Sequence, residues 1–182
     1  MAGIKQIRLS GFGGQGVILA GVLLGEAGVM DGQYVCGSNS YGAQARGSGC
    51  KSEIVFADGP IDFPHLITSD ILIAMSQGSY NQYCGDVKES SGFILYDPGL
   101  VTVQENLDLT QIGIPATEYA INRLNNKQVA NIVFLGALIE TTQIVSMRAI
   151  QKAIQTHVSE RFRALNLKAL RIGIGLGRRV HG

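Results

Sequence analysis

Five glycines stand between Gly11 and Gly21, where an alternating segment gives way to an apolar one in IRLSGFGGQGVILAG (7–21). Gly11, Gly13 and Gly16 satisfy G-x-G-x-x-G, with strand character before the pattern and helix character after it. Glycines in that context allow a tight turn and close approach of a ligand, and the free N–H groups at the start of the helix attract phosphate. The chain therefore opens as a strand–turn–helix unit, which fixes an α/β start and excludes an all-helical or all-β one. Residues 4–10 alternate, with Ile7 and Leu9 on one face and Gln6, Arg8 and Ser10 on the other. A first strand of a doubly wound sheet is normally buried on both faces. The alternation predicts a face left open or covered by another chain.

The glycine pattern alone does not make a dinucleotide site. Such a site needs an acid at the end of the second strand to hold ribose hydroxyls. That position reads Cys36-Gly37-Ser38-Asn39, and Asp31, at the right separation, falls before the strand at a helix end. Generic phosphate binding at the turn, and glycines needed only for packing, both remain open. The second unusual segment is SYGAQARG (40–47), where Tyr41, Gln44 and Arg46 supply an aromatic face, an amide and a guanidinium between glycines. A guanidinium suits bidentate phosphate or carboxylate contact, although the spacing fits an ordinary surface loop as well.

Further elements follow from pattern. Residues 15–30 read as a buried helix closed by Gly32, with a short strand at 33–37 and another at 51–57. No helix separates those strands, so they form an antiparallel excursion. Strands are expected at 70–75, 92–97 and 110–116, with helices near 78–87 and 117–124. Residues 129–142 are apolar nearly all round, which fits a helix buried in the domain or under a partner. Ser146 caps an amphipathic helix whose stripe is Met147, Ile150, Ile154, Val158, Phe162 and Leu165. The tail from about 168 has no period and is expected to be mobile. The sum is one α/β, Rossmann-like three-layer domain with a mainly parallel sheet.

Composition narrows function. Charged residues make up 16% of 182, against about 25% in typical domains, which fits a subunit that buries surface against partners and equally a compact Gly-rich α/β domain. A net charge of +1 gives no basic field for nucleic acid. The most apolar window, 16–30, is too short and too rich in glycine to span a membrane. Cys36, Cys50 and Cys84 are far apart and form no metal or cluster motif, and free thiols fit the cytoplasm. His65, His157 and His181 have no nucleophile partner, and no carboxylates pair for acid–base work. The chain reads as one that binds but does not react alone.

Three segments together carry a resemblance: GFGGQGVILAG (11–21), SYGAQARGSG (40–49) and PATEYA…VANIVFLGALIE (115–140). In order and over most of the chain they resemble the gamma subunit of 2-oxoacid:ferredoxin oxidoreductases, with LGALIE most like the 2-oxoglutarate type. The same unit occurs as a fused domain in pyruvate:ferredoxin oxidoreductase. The resemblance implies a complex that decarboxylates a 2-oxoacid and transfers the acyl group to coenzyme A. Thiamine diphosphate, magnesium and iron–sulfur clusters would sit on partner alpha, beta and delta-type subunits, with ferredoxin or flavodoxin as acceptor. The positions that match are Gly11, Gly13, Gly14, Gln15 and Gly16 of the turn, and Tyr41, Gln44 and Arg46 of the loop, all implied to contact coenzyme A. ARGSG departs from the double glycine that follows the arginine in many relatives. In isolation the chain is expected to be inactive, and a homodimer is compatible with it. The competing reading is a free-standing Rossmann-type oxidoreductase or nucleotide-binding module.

Overall fold

A computed structural model describes residues 3–41, 49–63 and 65–180. The elements in chain order are β1 (Lys5–Phe12), α1 (Val17–Met30), β2 (Tyr34–Tyr41), β3 (Gly49–Ala57), β4 (Ile71–Ala74) and α2 (Gln77–Tyr83). They continue with β5 (Phe93–Tyr96), β6 (Thr110–Gly113), α3 (Ala116–Leu124), α4 (Ala130–Thr142), α5 (Met147–His157) and α6 (Glu160–Arg178). The six strands form one sheet in the order β2-β3-β1-β4-β5-β6. β1, β4, β5 and β6 run parallel, and β3 is antiparallel to both β1 and β2. The mainly parallel sheet and the antiparallel excursion are as the sequence implies, but β2 reaches Tyr41 and β3 starts at Gly49.

The sheet has a thick helical layer on one face and a thin one on the other. Ile7, Leu9, Ile54, Phe56 and Ile73 join a core with α1 and α3 to α6. Leu72, Ala74 and Ile94 pack on Tyr80 and Val101 across the opposite face. Gly32 (φ +82°) closes α1, letting the Gln33 N–H reach the Gly28 carbonyl at 3.0 Å. Asp31 then accepts hydrogen bonds from the Ser146 N–H and hydroxyl (2.5 and 2.7 Å), fixing the start of α5.

Three expectations are corrected and one alternative is settled. The polar face of β1 is not open: Arg8 and Ser10 are 3% and 0% exposed, and the chain itself covers them. Arg8 Nε donates to Glu53 at 2.8 Å, Nη1 donates to Asp86 at 3.0 Å, and the guanidinium lies 4.6 Å from the Tyr83 ring centre. Pairing satisfies the charge, so alternation did not mean exposure. Second, of the two placements open for 129–142 the structure takes the first: α4 is buried within the domain, under α6. Third, the stripe from Met147 to Leu165 lies on two helices, because the backbone extends at Val158 and Ser159. Fourth, residues 168–178 are helical: a Cβ on Gly136 or Gly173 would collide with backbone of the facing helix, so both glycines permit α4 and α6 to touch. The tail lacked a period because its glycines serve a helix–helix contact.

Candidate functional site

The turn between β1 and α1 is shaped residue by residue. Gly11 is still in β1, where a Cβ would lie 2.5 Å from Gln15 Oε1 and 3.1 Å from Met75 Cβ. Gly13 is half-buried within the turn. Gly14 (φ +98°) and Gly16 (φ +71°) hold left-handed backbone, which glycine adopts without steric cost. A Cβ on Gly14 would meet open space, so that position faces solvent; one on Gly16 would strike the Asn131 amide. Gln15 is tied inward. Its Oε1 accepts from the Phe12 N–H at 2.6 Å and its Nε2 donates to the Met75 carbonyl at 2.7 Å. The side chain thus bolts the end of β1 to the end of β4.

Those two strands flank the point where the chain changes direction across the sheet: β2 and β3 lie to one side of β1, and β4 to β6 lie to the other. Ligands of open α/β sheets bind in the crevice outside the carboxyl ends of the strands at such a point. A cleft of about 310 Å³ opens there. Met75, Leu100, Ala130 and Phe134 give it an apolar wall, and Gly14, Gln15, Thr117, Gln128 and Asn131 a polar one. Lys127 is the only ionised side chain among its described lining residues.

Three helices begin at this cleft: α1 after the glycine turn, α3 at Ala116, whose first-turn Thr117 lines it, and α4 at Ala130. Their first-turn N–H groups carry partial positive charge. The buried Asp97, at the end of β5, already accepts from Thr117 N–H (2.8 Å) and Gly99 N–H (3.0 Å). Asp97 thus takes up the start of α3, and the glycine turn before α1 together with Lys127 leaves the cleft suited to an anion beside an apolar body.

The second motif rises from the same end of the sheet. Tyr41, which is 69% exposed, pairs with Cys50, and Gly49 pairs with Phe12 just before the glycine turn. Gln44 and Arg46 lie outside the described residues. Cys36, Cys50 and Cys84 are free thiols, and burial pushes the Cys50 thiol up from its ordinary value. His157 lies 3.7 Å from Glu26, and His65 packs edge-on to Phe63; neither lines the cleft. Among the described residues no group of three or more His, Cys, Asp or Glu could hold a metal ion. Sequence reasoning missed Asp97, Thr117, Lys127 and Asn131. Only Asn131 left a signal, as the polar residue near the start of an otherwise apolar helix.

Comparisons with known proteins agree with this fold. Residues 6–176 match the family model described as pyruvate ferredoxin/flavodoxin oxidoreductase. The 2-oxoglutarate synthase subunit KorC of Methanocaldococcus jannaschii is 46% identical over 172 residues, covering 93% of this chain and 91% of that one. The crystal structure of the keto/oxoacid ferredoxin oxidoreductase gamma subunit from Geobacter sulfurreducens superposes with a TM-score of 0.87. It is 38% identical, and the match covers 98% of each chain. The 2-oxoglutarate:ferredoxin oxidoreductase of Magnetococcus marinus, solved with 2-oxoglutarate, coenzyme A and succinyl-CoA bound, shares the fold. Its TM-score is 0.87 at 22% identity, over 97% of this chain and 31% of that longer one.

Proposed function

The chain belongs to the pyruvate ferredoxin/flavodoxin oxidoreductase family, and we propose that it is the gamma subunit of a 2-oxoglutarate-type 2-oxoacid:ferredoxin oxidoreductase. The observation that carries this reading is the near end-to-end match to a 2-oxoglutarate synthase subunit of the same length class. The complex converts a 2-oxoacid, coenzyme A and oxidised acceptor into acyl-CoA, carbon dioxide and reduced acceptor. Thiamine diphosphate, magnesium and iron–sulfur clusters belong on the alpha, beta and delta-type partners, and ferredoxin or flavodoxin takes the electrons. No helix among the described residues is long and apolar enough to cross a membrane, and the free thiols support a cytoplasmic setting.

In this reading the cleft at the glycine turn takes part of coenzyme A. A phosphate lies over Gly13 and Gly14 against the helix starts and Lys127, while Met75, Leu100 and Phe134 cover an uncharged portion. Gln15 and Asn131 position the turn from behind. Tyr41, Gln44 and Arg46 contact the same ligand, as the resemblance of the 40–49 motif implies. The competing Rossmann-type dinucleotide reading loses its last acid, because Asp31 is committed to Ser146. In the assembled enzyme, Gly13→Val should raise the KM for coenzyme A while 2-oxoacid decarboxylation persists. An unchanged KM would remove the turn from the site.

A further inference from the structure

A second opening lies on the other side of α1, away from the cleft. β2 is an edge strand of eight residues, YVCGSNSY, and it pairs only with β3 among the described residues. It carries no charge and no proline, the usual devices that keep an edge from pairing. Between α1 and this edge runs a groove of about 250 Å³, with Val22, Gly25, Val29, Val35, Gly37 and Ile54 in its lining and Glu26, Asn39 and Ser52 as its polar members. Its upper rim is half open, with Val22 and Val29 36% and 57% exposed.

The glycines of α1 do not all have the same reason to be there. A Cβ on Gly21 would collide with Ser52, and one on Gly28 would lie 2.5 Å from Phe56 Cε1, so the sheet requires both. A Cβ on Gly25 would make only an ordinary 3.6 Å contact with Val35. Glycine in mid-helix is destabilising relative to alanine, and internal packing does not demand it here. What Gly25 does is keep the groove open. Gly37, opposite it on β2, does the same; its nearest neighbour would be 3.8 Å away.

We propose that this groove receives an extended segment of a partner chain, which adds to β2 as a seventh strand and seats a large apolar side chain over Gly25 and Gly37. The proposal rests on the reading of the chain as a subunit of a heteromeric oxidoreductase. An uncharged edge offers backbone donors and acceptors, and a groove beside it accepts alternate side chains, which is the geometry of strand addition. A large side chain opposite an edge glycine restores the packing that the glycine lacks. The rim carries Glu26, 3.7 Å from His157, so the segment bears no acid at that point.

A second copy of this chain is the less fitting occupant. α1 lies over β3, with β1 and β2 to either side. Joining two copies along β2 would set their α1 helices about three strand spacings apart, ~14 Å, whereas packed helices stand about 8–10 Å apart. The groove would stay unfilled.

The test uses the assembled enzyme and the free subunit. Hydrogen exchange of the Tyr34–Tyr41 amides should slow at least tenfold on assembly with the partner subunits. Gly25→Leu, which fills the groove, should weaken that assembly at least tenfold, and Gly25→Ala, which adds one methyl at ordinary contact distance from Val35, serves as the folded control. β2 amides that exchange equally fast in an active complex, or Gly25→Leu assembling with unchanged affinity, would overturn the proposal alone. Protection of β2 in the free chain through self-association would do the same. A chain that never joins the oxidoreductase subunits would overturn the functional reading as well.

Discussion

The Asn131 side-chain amide donates to the Gly16 carbonyl at 2.9 Å, joining the start of α4 to the left-handed residue that begins α1. Two helix starts are thus held together across 115 residues of sequence, and the glycine turn is framed by that bond.

Gly14 and Gly16 should separate under substitution. Both hold positive φ, which costs a non-glycine residue about 1–2 kcal/mol. Gly14→Ala meets open space and should lose about 1 kcal/mol. Gly16→Ala must also displace the Asn131 amide, adding roughly 1–3 kcal/mol for the bond left unmade. Urea denaturation of the two variants measures the difference, and equal losses would mean that Asn131 yields freely.

Acid should weaken the fold in part through Glu53. Burial raises the pKa of this carboxyl, but hydrogen bonds from Lys51 and Arg8 outweigh it and hold the value below the ordinary one. A depressed folded-state pKa gives stability that is present above the unfolded value, about 4.3, and lost as pH falls through the folded one. Glu53→Gln should therefore flatten the dependence of stability on pH below about 4.5. Arg8→Met leaves Glu53 with Lys51 but without the Arg8 guanidinium, and should cost about 1–3 kcal/mol near neutral pH.

Gly173→Ala should be among the more damaging single-methyl changes in the chain. The added Cβ collides with the Val133 carbonyl, and overpacking of this kind costs about 1–3 kcal/mol. Gly175→Ala, one position beyond Ile174, meets no neighbour and should be neutral or stabilising. Amides of 168–178 should exchange as slowly as those of α4, and rapid exchange there would restore the mobile tail.

Arg46 is expected to act on coenzyme A. A charge-assisted contact contributes about 1.5–3 kcal/mol, so Arg46→Ala in the assembled enzyme should weaken coenzyme A use by roughly 10- to 150-fold. Decarboxylation to the thiamine-bound intermediate should persist, because it needs no coenzyme A. Equal loss of both half-reactions would assign Arg46 to assembly, and no loss in either would make 40–47 an ordinary surface loop.

The local signals in the sequence were those of backbone constraint. Glycines at 11–16 announced the turn, Gly32 the end of α1, and Ser146 the start of α5. What escaped was set by contacts distant in sequence. Arg8 looked solvent-facing because its partners, Glu53 and Asp86, lie 45 and 78 residues away. Residues 168–178 looked irregular because Gly173 and Gly177 match the surface of α4 rather than a helical apolar period. The cleft followed the same rule: its glycines were legible, whereas Thr117, tied to Asp97, and Lys127 reach it only once three helices start at one point.

The central claim is that this chain serves a 2-oxoacid oxidoreductase without being catalytic alone. The most direct measurement isolates the tagged chain from its native host and assays 2-oxoglutarate- and coenzyme A-dependent reduction of a viologen dye, for the co-purified complex and for the chain separated from it. The account predicts turnover by the complex, none by the separated chain, and recovery when the partner subunits are returned. A chain that purifies without such partners, or that reduces the dye by itself, would contradict it.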